Sequence, residues 1–182
     1  MKTIVCPVLE TERLTLRAPN RGDIGAIVRH AGDPRVAFKT SAMPHPYRLN
    51  DATGWLDQIE QEGEETFAIE LKSQPGLIGV ISLVPREGRV SAEIGYWLGV
   101  KYWRRGYMTE ALREVLRYGF EDRGLLYLTA CYMAGNPASG RVMQKTGMKF
   151  ESIVAGGLRR DGVPHDKVNY GLFADEWKAL HC

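Results

Sequence analysis

The sequence predicts a mixed α/β domain, built on a mostly antiparallel, seven-stranded sheet with flanking helices. Three observations carry that reading. Two helical patterns follow a first short strand. Three strand patterns then succeed one another across turn signals. The last of these runs through a basic, glycine-bearing turn straight into another helix. No repeat, linker or low-complexity tract divides residues 1–182, so one domain is expected.

Leu14-Thr15-Leu16-Arg17 alternates and ends before Pro19, as a first strand does. Asp23 precedes Ile24, Ile27 and Val28 at helical spacing, and Pro34 bounds that helix. A loop rich in proline and aromatic residues follows, with Phe38, Pro44, His45, Pro46 and Tyr47. Asn50 suits the N-cap of a second helix whose apolar face is Trp55, Leu56 and Ile59. Thr66–Leu71, Leu77–Val84 and Ser91–Leu98 read as an antiparallel meander, with turns at Ser73–Gly76 and Pro85–Gly88. Beyond the basic turn, Leu112, Val115, Leu116 and Phe120 recur at helical spacing, with Glu110, Arg113, Glu114 and Arg117 opposite. Tyr127–Tyr132 is apolar enough for a strand covered on both faces. Asn136 and Pro137 open one more helix, which Gly147 closes. Lys149–Val154 and Lys167–Phe173 make a final hairpin around the glycines and arginines of 156–162.

Composition narrows the function classes. Hydrophobic content of 44% and charged content of 25% are ordinary for a soluble globular protein. A formal net charge of +2 is too small to argue for nucleic-acid binding. Cys6, Cys131 and Cys182 are far apart and lack the spacing of a zinc or redox pair, so a reduced compartment and no metal are expected. Met1–Glu12 carries Pro7, Glu10 and Glu12 where a signal peptide needs an apolar core, and no apolar run approaches membrane-spanning length. The expectation is a cytoplasmic protein without membrane or nucleic-acid partners.

The chemistry concentrates in residues 93–110, E-I-G-Y-W-L-G-V-K-Y-W-R-R-G-Y-M-T-E. A helix entered from such a turn has unpaired N–H groups and partial positive charge at its first turn, so it suits a phosphate or pyrophosphate. The stretch matches neither the P-loop nor the dinucleotide fingerprint: Gly99 to Gly106 lacks the required lysine, and one central glycine is flanked by Arg105 and Tyr107.

Three segments, A-E-I-G-Y-W-L at 92–98, Y-W-R-R-G-Y-M-T-E-A at 102–111 and N-P-A-S-G-R-V-M-Q-K-T-G-M at 136–148, together resemble the GNAT superfamily of acyl-coenzyme A-dependent N-acetyltransferases. More closely they are similar to its branch of ribosomal-protein N-terminal-alanine acetyltransferases, and L-E-T-E-R-L-T-L-R at 9–17 extends the likeness to nearly the whole chain. The resemblance implies that the amides of Arg104, Arg105, Gly106, Tyr107, Met108 and Thr109 wrap the pyrophosphate of acetyl-coenzyme A. The family pattern Q/R-x-x-G-x-G/A meets Trp103 at its first place and a bulky Met108 at its last small one. It also implies that the strand ending in Trp97, Leu98 and Gly99 bends from its neighbour to admit the pantetheine arm. An N–H near Trp97 or Leu98 would then bond the thioester oxygen; such a donor is worth about a hundred- to a thousandfold in rate.

In that branch the serine here numbered Ser139 meets the leaving sulfur, although serine equally suits helix-start capping. Asn136 serves as an N-cap, as a ligand to the pantetheine amides, or as both. Alternation sets Glu93, Gly95 and Trp97 on one face, where Glu93 is the candidate to deprotonate the amine or is a solvated strand residue. An α-amine, with a pKa of about 7.7–8.0, needs little help near neutral pH, so water also suffices. Phe38, Tyr132 and Arg159 are candidates for the acceptor lining, and a homodimer is an admissible assembly. The implied reaction is acetyl transfer to a primary amine, foremost a protein or peptide N-terminal α-amine, in a ternary complex. The alternatives are a small amine or amino-acid acceptor, a non-catalytic acyl-coenzyme A-binding module, and a nucleic-acid binder built on Arg104, Arg105, Arg159 and Arg160. Near-neutral charge argues against the last.

Overall fold

Eight strands, one more than the sequence patterns delineate, form a sheet of order β1-β2-β3-β4-β5-β6-β8-β7 in the computed structural model. The structure describes residues 6–62, 64–86, 88 and 90–181. The reading of Met1–Val5 as free of a signal sequence and the third cysteine, Cys182, lie outside these residues. The extra strand is β1 (Leu9–Glu10), two residues paired to β2 (Leu14–Arg17) and too short to show a period. Helices α1 (Ile24–Ala31), α2 (Pro34–Ala37) and α3 (Leu49–Glu62) come next. Pro34 ends no loop; it starts α2, because the Asp33 carboxylate accepts the Arg35 N–H and proline is at home in a first turn. Asn50 falls inside α3 and does not cap it. The acid that reaches back is Asp51, which accepts the Arg48 N–H at 2.6 Å.

The meander β3 (Glu65–Leu71), β4 (Gln74–Pro85) and β5 (Ser91–Leu98) is antiparallel throughout. After β5 come a 3₁₀ turn (Val100–Tyr102), α4 (Tyr107–Arg117) with a π-helical extension (Tyr118–Asp122), and β6 (Tyr127–Met133). Then follow α5 (Pro137–Lys145), β7 (Lys149–Arg160), β8 (Val163–Phe173) and α6 (Ala174–His181). The last hairpin runs farther than its patterns indicate. Its turn is Asp161-Gly162, both at positive φ (49° and 80°), while Gly156 and Gly157 lie in a bulge between Val154 and Leu158. Glycine pairs mark bulges as readily as turns, which is why the turn was misplaced.

Two apolar layers sandwich the sheet. On one face α4 inserts Met108, Ala111, Leu112, Val115 and Leu116 among Leu14, Leu16, Phe67, Ile81, Ile94 and Leu128. On the other, Ile27 and Ala31 of α1 and Ala52 of α3 meet Ala68 and Val80, with Trp55 and Trp97 packed beside them. Strand β6 alternates between buried and partly exposed residues, so it is not covered on both faces as its composition suggests. The feature that matters most for function is a parting. β5 and β6 pair in parallel only from Ser91↔Tyr127 to Ile94↔Ala130. Beyond that, β5 stays with β4 as far as Leu98, and β6 stays with β8 as far as Met133.

Candidate active site

The turn from β5 into α4 is held from both sides. Trp103 Nε1 donates to the Leu98 carbonyl at 2.6 Å, folding the chain back on itself. Arg104 and Gly106 both take left-handed conformations, with φ of 60° and 81°. Gly106 is the N-cap of α4, and a Cβ there would stand 3.3 Å from Arg13 Nη2. From outside, Arg13 donates to the Arg105 carbonyl at 3.1 Å, pairs with Glu110 at 2.6 Å and lies 4.7 Å over the Tyr107 ring. Burial pushes the Glu110 carboxyl up, but bonds from Thr11 and Arg13 outweigh it and hold the group below its ordinary range.

The Glu110 N–H closes the first α4 bond, 3.0 Å to the Gly106 carbonyl. The N–H groups of Tyr107, Met108 and Thr109 therefore lack intrahelical partners and carry the positive end of the helix dipole. Met108 does not obstruct them: it is 7% exposed and points into the core.

A cavity of about 950 Å³ begins at this turn and occupies the gap between β5 and β6. It gathers Trp97, Leu98, Arg104, Gly106, Tyr107, Met108, Thr109, Asn136, Ser139 and Tyr132 of the expected residues. Gly99, Arg105, Phe38, Arg159 and Glu93 are not in its wall. Gly99 packs against His30, where a Cβ would come within 2.7 Å of Nδ1. Phe38 is 48% exposed and stacks at 5.0 Å on His45. Arg159 faces outward and donates to the Gly162 carbonyl at 3.3 Å.

Within the cavity, the antiparallel ladder assigns the oxyanion donor more narrowly. Gly99 N–H bonds the Ile78 carbonyl, so alternation turns the Trp97 N–H toward β4 and the Tyr96 and Leu98 N–H groups toward the gap. Ser139 lies in the first turn of α5, and its hydroxyl has no hydrogen-bond partner among the described residues. Its carbonyl accepts the Tyr96 hydroxyl at 3.0 Å, and burial pushes that phenol's pKa upward. Asn136 occupies the N-cap without capping: its Nδ2 donates to Lys39 O at 3.5 Å. Tyr132 packs its ring beneath Gly140, where a Cβ would meet it at 2.9 Å.

Glu93 lies beside the cavity, in a groove of about 320 Å³. Its carboxylate is bonded by Arg86, accepts the Cys131 thiol at 3.2 Å and faces Lys167 Nζ at 3.8 Å. Cys131 lines both spaces, and burial followed by the Glu93 charge raises its thiol to about 11. Sequence reading passed over the cavity's other wall, made by the loop from Lys39 to Pro44 with Tyr47, Asp51 and Trp55. No helix among the described residues is long and apolar enough to cross a membrane.

A mixed sheet parted over a helix N-terminus, with one cavity between, defines an acyl-transfer fold that takes a phosphate-bearing donor. The family model for an acetyltransferase (GNAT) domain matches residues 13–149, and the chain belongs to that family. It is an acetyl-coenzyme A-dependent N-acetyltransferase. The chain is 30% identical to the uncharacterised N-acetyltransferase YoaA of Bacillus subtilis (strain 168), over 91% of this chain and 96% of that protein. It is 25% identical to the ribosomal protein uS5-alanine N-acetyltransferase of Escherichia coli (strain K12), over 93% and 92% of the two chains. Among solved structures, the GNAT-family acetyltransferase of Bacillus anthracis superposes with a TM-score of 0.85 at 25% identity, covering 93% of this chain and 99% of that one.

Proposed function

We propose that the protein acetylates the N-terminal α-amine of a protein or peptide by direct attack in a ternary complex. The observation that carries this reading is the gap between β5 and β6, which joins the α4 turn on one face of the sheet to the walls of α1 and α3 on the other. A chain end can then reach the thioester from the face opposite the coenzyme. The similarity to an N-terminal-alanine acetyltransferase along nearly the whole chain supports an α-amine over a lysine.

In this reading the amides of Arg104 to Thr109 hold the pyrophosphate, with Arg105 contributing main chain alone. Asn136 binds a pantetheine amide once its long contact to Lys39 is given up. The Leu98 N–H, or that of Tyr96, bonds the carbonyl oxygen as charge develops there. Ser139 hydrogen-bonds the departing sulfur. Glu93 receives the amine's proton through water, because Arg86, Cys131 and Lys167 already engage its carboxylate. Phe38 and Arg159 act on the acceptor side from outside the cavity, while Tyr132 floors it. Two free thiols among the described residues, Cys6 and Cys131, fit a reducing cytoplasm.

Thiol release from acetyl-coenzyme A, measured with peptides differing at the first residue and with polyamines and free amino acids, tests the reading. Peptides beginning with small residues are expected to give the highest kcat/KM. Turnover confined to small amines would instead establish the small-amine reading. Tight coenzyme A binding with no turnover on any amine would establish a binding module.

A further inference from the structure

The terminal hairpin buries a cation next to the exposed Arg159. Arg160 is 6% exposed, and its Nη1 donates to the carbonyls of Ala37, Thr40 and Met43 at 2.7, 2.8 and 2.9 Å. Its guanidinium carbon stands 4.7 Å over the Phe38 ring, and its Nε is 3.5 Å from the Asp161 carboxylate. Nε and Nη2 have no hydrogen-bond partner among the described residues. Burying a guanidinium is costly unless it is compensated, and here the compensation is one grip on the main chain of a single loop.

That loop is a wall of the cavity. Lys39, Thr40, Ser41, Ala42, Met43 and Pro44 line it in succession, on the side away from the α4 turn. Leu158, two residues before Arg160 on β7, lines the cavity too. A second tie runs from Lys39 Nζ to the Gly135 carbonyl at 2.8 Å, ahead of α5. The loop has no sheet partner of its own, so these ties set where its inner surface stands.

We propose that Arg160 is a positioning residue for the acceptor: by locking residues 37–43 onto the terminal hairpin, it shapes the end of the cavity that receives the amine. This deepens the acetyltransferase reading and rests on its assignment of that end to the acceptor. The coenzyme end is tied separately, through Arg13 and Trp103.

The test compares wild type with Arg160→Met, which keeps the apolar stem, and Arg160→Lys, which keeps the charge without the planar fork. Steady-state KM is measured for acetyl-coenzyme A and for an alanine-initiated peptide, or for the fastest amine of the panel if wild type ignores peptides. Amide hydrogen exchange is followed in parallel. Arg160→Met is expected to raise the acceptor KM about tenfold while leaving that for acetyl-coenzyme A within about twofold. Exchange at residues 38–43 should accelerate and that at 104–109 should not. Arg160→Lys is expected to fall between, and it decides the matter if the methionine variant does not fold. A lowered melting temperature with unchanged acceptor KM in the folded variants overturns the proposal, as does an equal rise in both KM values. Wild type turning over small amines but no peptide would defeat the α-amine reading and leave this comparison intact.

Discussion

Ser139 and Glu93 are both polar and both near the thioester, but their surroundings differ. The Ser139 hydroxyl faces the cavity uncommitted among the described residues, so a sulfur is a natural partner. Ser139→Ala is expected to lower kcat by about ten- to a hundredfold with the dissociation constant for coenzyme A nearly unchanged. Calorimetry beside initial rates checks both halves. Glu93 is held by two cations and a thiol, so it acts at one remove. Glu93→Gln should cost most at low pH, where the amine is protonated, and a pH–rate profile parallel to wild type would assign the proton to water alone. Strand alternation sufficed to place Glu93 and Tyr96 on opposite faces. It did not reveal that Arg86 and Lys167, from other strands, would claim the carboxylate. The neighbours Arg159 and Arg160 show the same limit. A one-residue step along a strand exchanges solvent for interior, and nothing local said which arginine would turn inward.

At the scale of elements, the turn into α4 depends on one backbone conformation. Gly106 sits at φ 81°, with Arg13 Nη2 3.3 Å from where a Cβ would be. A β-branched side chain there is strained and crowds the Arg13 bridge, so Gly106→Val should weaken acetyl-coenzyme A binding about tenfold or more. Titration calorimetry would show it. Elements with long periods were legible from sequence: Leu14–Arg17 and Ser91–Leu98 have the bounds their alternation indicates, and α4 its face. Those that were missed have tertiary or very local causes. β1 exists because β2 pairs with it, and α3 begins at Leu49 because Asp51, one residue past the better-looking cap, reaches back to Arg48.

Across the whole molecule, charge links α1 and its entry to the sheet. Arg17 bonds both Asp23 oxygens at 2.8 Å and Glu70 at 3.0 Å. Burial alone would raise the Asp23 carboxyl, but the Arg17 and Asn20 bonds outweigh it and hold it low; Glu70 is held low by the Gly76 N–H and Arg17. A carboxyl whose folded pKa is depressed stabilises fully above its unfolded value and loses that contribution as pH falls through the folded one. Stability should therefore decline below about pH 4, starting from unfolded values of about 3.9 and 4.3. Glu65, raised by burial, opposes this in part. His30 acts earlier. Burial, then Lys101 and Arg29, lower its pKa, so the fold favours the neutral ring and loses stability as pH drops below about 6.5. Thermal melts across pH 5–8 should show that first slope, and His30→Phe should flatten it.

The parting of β5 from β6 gives the enzyme two doors rather than one. Donor and acceptor need not queue, since neither must leave before the other arrives, and neither entrance lies behind the other. Double-reciprocal plots at several acceptor concentrations should intersect and not run parallel. Coenzyme A should compete with acetyl-coenzyme A but not with the amine. The acceptor's doorway can also drift in sequence, residue by residue, toward a different amine while the donor's stays as it is.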